Sequence, residues 1–268
     1  MTASTEVTPQ MAEPLVSARS VGTTVLLTLD RPTALNALNR ALANQLADRL
    51  EEAAADASVR AVILTGSEKA FCAGADISEI PDMVGASPLD ALPFDRLFQT
   101  LANLPVPTIA AVRGLAFGGG CELVLACDTA IAGRSARFAV PEVKLGVIPG
   151  AGGTQRLVHA IGKAKAMRML LTGAPVDAEW AYAAGLVAEI VADDEVIDRA
   201  LALAATIEGN APRAVAYAAD SARRVNDLPL HQGLAHERRN FLLALGTADA
   251  GEGISAFANR RSPNFTGR

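Results

Sequence analysis

Histidine and cysteine are nearly absent from this chain, three of each in 268 residues. His159, His231 and His236 are scattered, no HExxH pair occurs, and the last two stand five apart rather than four. With no ligand-spaced set, a metal site is not expected. Cys72, Cys121 and Cys127 are odd in number and form no CxxC pair. No disulfide framework is expected, and a reducing, cytoplasmic setting fits best. No histidine neighbours Cys72 or Cys121 in sequence, so both read as small packed cysteines rather than nucleophiles.

Other things are missing too. Aromatics make up only 4 % while half the residues are hydrophobic, so the core must be built from Ala, Leu, Val and Ile. Basic charge is not in excess; the net charge of −5 argues against nucleic acid as a partner. The most apolar stretch, 104–132, is broken by Pro105, Pro107, Arg113, Glu122 and Asp128, which excludes a membrane span. Residues 1–13 carry no Lys or Arg and no long apolar run, so they read as a flexible tail rather than a signal peptide. GxGxxG, a P-loop Lys-Ser/Thr and a GxSxG elbow are all lacking. Dinucleotide binding of that type, P-loop chemistry and serine hydrolysis lose their signatures.

What is present begins with short apolar and β-branched runs bounded by turn residues. These predict strands at 15–19 and 23–29 around a Val21-Gly22 turn, then at 61–65, 108–112, 129–132 and 187–191. Helical spacing predicts a helix over 39–55, with Asn39 as N-cap and Leu42, Leu46 and Leu50 on one stripe. The segment 81–95 holds three prolines and a glycine and reads as a loop or flap, with Asp90 or Asp95 capping a helix that runs to Leu104. Further helices are expected at 119–126, 152–160, 163–171 before Gly173, and 177–184 before Gly185. After that only helices follow, at 193–208, 212–226, 230–245 and 249–261, with Thr247 as a cap. The reading is an α/β body at 14–195 and a helical region at 196–268. Paired strands per helix do not match a simple doubly wound sheet.

The chemistry lies in three stretches. Phe71-Cys-Ala-Gly-Ala-Asp-Ile77 and Gly114-Leu-Ala-Phe-Gly-Gly-Gly-Cys-Glu122 place bare backbone where a side chain would intrude. Pro141-Glu-Val-Lys-Leu-Gly-Val-Ile-Pro-Gly150 brings a second carboxylate twenty residues after Glu122. Exposed N–H groups hold a developing oxyanion, and carboxylates move protons. Each stretch alone has a plainer account. The triple glycine also serves tight helix–strand packing, and Glu122 and Glu142 also suit the first turn of a helix. Glu122 nevertheless sits among Cys121, Leu123, Val124 and Leu125, where a carboxylate needs a partner or a task. Gly150-Ala-Gly-Gly153 reads as a turn bordering the site rather than an anion site.

Taken in order, these stretches resemble the crotonase family, the enoyl-CoA hydratase/isomerase superfamily. Arg31-Pro-Thr-Ala-Leu-Asn-Ala-Leu38, the run from Pro141 through Gly150-Ala-Gly-Gly-Thr-Gln-Arg-Leu157, Leu171-Thr-Gly173 and Ala183-Ala-Gly-Leu-Val187 complete the pattern. The resemblance runs from about residue 15 to the C-terminus. It implies an α/β, crotonase-like spiral of ββα units with an all-helical C-terminal trimerisation region, and homotrimers or hexamers. It implies an acyl-CoA thioester as substrate, no cofactor, and no nucleic-acid or membrane partner. The thioester oxygen would be held by the N–H groups of Ala75 and Gly119, with Glu122 as base and Glu142 as proton donor in hydration of a 2-enoyl-CoA. Leu35, Ala73, Asp76, Ile77, Gly118, Gly150 and Arg260 match positions near the substrate. Ser78 stands where the family commonly has Lys. A Δ3,Δ2-isomerase, other CoA-thioester chemistry and a non-catalytic acyl-CoA-binding protein are the alternatives.

Overall fold

Residues 14–79 and 94–268 are described in the computed structural model. The expected tail at 1–13, the segment 81–93 and the candidate cap Asp90 lie outside them. The hairpin is present as β1 (Val16–Val21) antiparallel to β2 (Thr24–Leu29). Helix α1 (Arg40–Ala55) follows, with the Asn39 side chain accepting from Leu42 N at 2.9 Å. The chain then runs through β3 (Ala61–Thr65) and β4 (Ala70–Cys72) to α2 (Asp95–Ala102). A second pair, β5 (Thr108–Val112) and β6 (Leu115–Phe117), leads into α3 (Gly119–Ala126). A third pair is β7 (Thr129–Gly133) and β8 (Arg137–Ala139). Next come α4 (Gly153–Ile161), α5 (Lys163–Thr172), the short β9 (Val176–Asp177), α6 (Ala178–Ala184) and β10 (Glu189–Val191). Helices α7 (Val196–Glu208), α8 (Pro212–Arg223), α9 (Leu230–Leu245) and α10 (Ala248–Ala258) finish the chain.

The paired strands divide between two sheets. The first of each pair joins a six-stranded sheet in the order β1-β2-β3-β5-β7-β10. The second joins a four-stranded sheet in the order β4-β6-β8-β9. Pairing is parallel except at β1/β2 and β8/β9. Each circuit therefore adds a strand to each sheet and then a helix, which is the spiral of ββα units. The second sheet was not read from the sequence, because its strands span at most three residues and show no period. Asp95 is a correction: α2 starts at it, with Phe94 in the N-cap position making no side-chain cap bond, and the helix ends at Ala102.

Leu42, Leu46 and Leu50 are fully buried in the main core with Leu27, Leu64 and Val112. Truncating a leucine there costs about 2–5 kcal/mol. Alternation turns the neighbouring side chains Ile63, Ile109 and Ile131 to the opposite face, where Val196, Ala200 and Ala204 of α7 cover them. The central strands are thus buried on both faces and read as continuous apolar runs. The last helices differ. α9 and α10 leave Leu230, Leu234, Phe241, Leu242, Ile254 and Phe257 exposed. Among the described residues, no helix is long and apolar enough to cross a membrane.

Candidate active site

Strands β4, β6 and β8 lie side by side and parallel, so their C-terminal ends open at one edge of the small sheet. Those ends carry 73–77, the Gly118–Glu122 stretch and Pro141-Glu142. Stretches 20 to 70 residues apart in sequence are thereby brought to one edge of the sheet, the end where parallel sheets usually bind ligands.

Segment 73–76 is held by the loop before α1. Ala73 N donates to Leu35 O at 3.0 Å, Leu38 N to Gly74 O at 2.7 Å, and Asp76 N to Leu38 O at 2.8 Å. These bonds use the groups on either side of Ala75. Among the described residues, the Ala75 N–H has no acceptor. Gly118, at φ 50° and ψ −123°, turns the chain into α3 in a conformation that side-chain-bearing residues avoid. The N–H of Gly119, first in the helix, also lacks an acceptor among the described residues. A Cβ placed on Gly119 would lie 3.7 Å from Ala75 N. Two donors that are free among the described residues therefore lie close together, at the N-terminal, positive end of α3.

Glu122 lies one turn into α3 and is 3 % exposed. Its Oε1 accepts from Ala151 N at 2.8 Å and Gly153 N at 2.7 Å. Burial raises its pKa, while those two N–H groups and the Arg156 charge pull it back. The Gly150–Gly153 segment is thus both a turn and an anion site, and its anion is the protein's own carboxylate. Gly152, at φ 102°, makes that turn. Glu142 opens a 3-10 turn, Glu142–Leu145. Its Oε1 lies 3.0 Å from where a Cβ on Gly118 would sit. Its Oε2 is buried without a hydrogen-bond partner among the described residues. Burial first, and the nearby Glu122 charge next, push its pKa up to about 7. Two neighbouring carboxylates, both with raised pKa, one amide-held and the other with an oxygen unpartnered among the described residues, suit a proton relay.

The remaining candidates fall in different places. Asp76 is occupied: Ser78 Oγ and N and the Arg31 guanidinium, the last at 2.6 Å, hold its carboxyl at about 2. It braces the loop. Leu35 has left-handed backbone and is 38 % exposed, and Ile77 is exposed at the mouth. Gly150 is exposed beside the Glu122-holding turn. Arg260 is exposed beyond α10, while its neighbour Arg261 is paired with Glu252 at 2.6 Å. Burial pushes the Cys72 thiol up to about 12 and Cys121 higher still, so neither is a nucleophile. Among the described residues, no group of three His, Cys, Asp or Glu is placed to hold a metal ion.

Two supporting residues were missed in sequence. Asn36 is fully buried and ties Ala70 O and Phe71 O to Arg31 N, joining the loop to β4. A lone amide between Leu35 and Leu38 was the available signal. Arg156 reaches back from α4 to Ala151 O at 2.7 Å.

Known proteins match along nearly the whole chain. The model of the enoyl-CoA hydratase/isomerase family matches residues 20–268. The 2,3-dehydroadipyl-CoA hydratase of Escherichia coli is 44 % identical over 259 residues, covering 96 % of this chain and all of that protein. A probable enoyl-CoA hydratase of Mycobacterium tuberculosis is 46 % identical over 243 residues, covering 91 % of this chain and 94 % of its own. A crystal structure of enoyl-CoA hydratase from Bacillus anthracis superposes with a TM-score of 0.88 at 35 % identity, covering 95 % of this chain and all of that one. The chain belongs to the enoyl-CoA hydratase/isomerase family.

Proposed function

From that membership we propose that this protein hydrates trans-2-enoyl-CoA thioesters to 3-hydroxyacyl-CoA. The observation that carries the reading is the closeness of two N–H groups, Ala75 and Gly119, both unengaged among the described residues, with one buried and one half-buried carboxylate, Glu122 and Glu142, nearby. The thioester oxygen accepts from both donors, which stabilise the enolate as charge develops on it. Glu122 takes a proton from water as the water oxygen bonds to C3. Glu142, whose neutral and charged forms are balanced near pH 7, delivers a proton to C2 from its neutral form. The pair titrates as one unit. Water is added with no net oxidation or reduction, so the reading calls for no cofactor beyond the coenzyme A of the substrate. A Δ3,Δ2-isomerase needs only one acid/base group, and the presence of both glutamates favours hydration.

We also propose that copies assemble as trimers or hexamers through the helical region after residue 195. The outward apolar row on α9 and α10 supports this, while α7 stays on the sheet. The function is tested by mixing purified protein with crotonyl-CoA, then decenoyl-CoA, in ¹⁸O-water. A 3-hydroxyacyl product carrying ¹⁸O supports hydration. A shifted double bond with no ¹⁸O would make the protein an isomerase, and binding without turnover a carrier.

A further inference from the structure

Arg156 is the residue whose placement the motif leaves unexplained. Its guanidinium Nη1 donates to Ala151 O at 2.7 Å, while its own backbone N bonds Gly152 O at 2.8 Å. The same Ala151 turns its N–H the other way, onto Glu122 Oε1 at 2.8 Å, and Gly153 N joins it at 2.7 Å. The turn 151–153 is thus clamped between a carboxylate on one side and a guanidinium on the other. Gly152 makes room for the clamp: a Cβ there would stand 2.2 Å from Arg156 Nη1. Gly153 does the same on the far side, where a Cβ would stand 2.9 Å from Glu122 Oε1.

We propose that Arg156 is a positioning residue, which by fixing the Ala151 carbonyl aims two backbone N–H groups at Glu122 and so holds that carboxylate for attack on water. The inference rests on the hydratase reading for its kinetic form, though not for its structural one. Arg156 does not touch the reacting atoms. It acts through one peptide turn, and its positive charge adds to the stabilisation of the ionised Glu122. Glu142, on the 3-10 turn, is the neighbouring carboxylate, and the Glu122 charge opposes its ionisation. Arg156 itself borders a cavity of about 1100 Å³ between α4 and α8–α9, whose charged and titratable lining also includes Asp128, His159, Asp220, Arg223, Arg224, Asp227 and Arg239. Of these, Arg223 is committed to Asp128 at 2.6 Å.

The test compares Arg156→Met, Arg156→Gln and Arg156→Lys in pH-resolved kinetics with an enoyl-CoA that the wild type hydrates. Arg156→Met and Arg156→Gln should lower kcat about tenfold to a hundredfold, as small misplacements of a catalytic group do, with KM nearly unchanged. Glu122 must be ionised to act as base. Without the cation its ionised form is less favoured, so the acidic limb of the rate profile should move to higher pH. Arg156→Lys keeps the charge and should restore the limb and much of kcat. Should Arg156→Met fail to fold, Arg156→Gln carries the same prediction. Wild-type kcat and an unmoved acidic limb in either neutral variant overturn the proposal. So does a loss confined to KM. Should the wild type hydrate no enoyl-CoA, the readout becomes infrared titration of the Glu122 carboxyl, identified by its absence in Glu122→Gln. An upward shift in Arg156→Met then supports the clamp, and an unchanged titration overturns it.

Discussion

Two glycine-rich turns, Gly118–Gly120 before α3 and Gly150–Gly153 before α4, look alike in sequence and are used in opposite ways. Both bend through positive φ, and both present N–H groups at the start of a helix. The first leaves the Gly119 N–H without an acceptor among the described residues, close to Ala75 N. The second spends its N–H groups on Glu122, a carboxylate of the same chain. In the proposed mechanism the first turn receives a ligand's negative charge, while the second fixes a charge the protein already owns. Composition does not separate them. What does is whether a carboxylate from a neighbouring element reaches the turn.

The largest expected effects come from the charge that the second turn holds and from its partner. Glu122→Gln and Glu142→Gln should each lower kcat for hydration by about 10²- to 10⁴-fold, the usual worth of general acid–base groups, with acyl-CoA binding retained. Steady-state rates and isothermal titration calorimetry measure the two halves. Retained turnover in either variant would remove the two-carboxylate account.

Next come single methyl groups placed in the two turns. Gly119→Ala sets a Cβ 3.7 Å from Ala75 N and 3.1 Å from Leu38 Cδ1, beside the two free donors. A loss of about 10²-fold in kcat/KM is expected, comparable to losing one oxyanion donor. Gly153→Ala presses on Glu122 Oε1 instead, and should lower kcat about tenfold while leaving substrate binding intact. If both variants changed kcat and KM alike, the contrast between the turns would not hold.

Smaller effects fall on stability. Asn36→Ala strips buried carbonyls of a donor and should cost about 1–3 kcal/mol, read as a lower urea midpoint. A further effect, read against pH, is expected at Glu142, whose pKa rises from 4.5 to about 7 on folding. The folded state then binds a proton more readily than the unfolded one. The associated stability is present below 4.5 and is lost as pH rises through about 7. Glu142→Gln cannot ionise, so its Tm should gain on the wild type as pH is raised across that window. A Tm difference independent of pH would show that Glu142 titrates normally.

Much of this was legible because the chemistry sits in uninterrupted stretches. Glu122 stood out as a carboxylate among apolar neighbours, and the bare runs at Ala75 and Gly119 advertised exposed backbone. The long elements were legible for the same reason: α1 shows its leucine stripe and β3 its apolar run over many residues. The small sheet was not, since β4, β6 and β8 are three residues each, too short for any period. Yet that sheet is what makes the three stretches neighbours. Arg156 and the turn at Ala151 were hidden for another reason. Their roles depend on which way a backbone carbonyl and N–H point, and no residue type records that.

The account turns on the first glycine turn binding a carbonyl oxygen. The direct measurement is the infrared C=O stretch of crotonyl-CoA, ¹³C-labelled at the thioester carbonyl, bound to the Glu122→Gln/Glu142→Gln protein, where no turnover consumes it. Two N–H donors at Ala75 and Gly119 should polarise the bond and shift the band to clearly lower frequency than in free ligand. A tightly bound ligand whose carbonyl band stays at its free position would contradict the account.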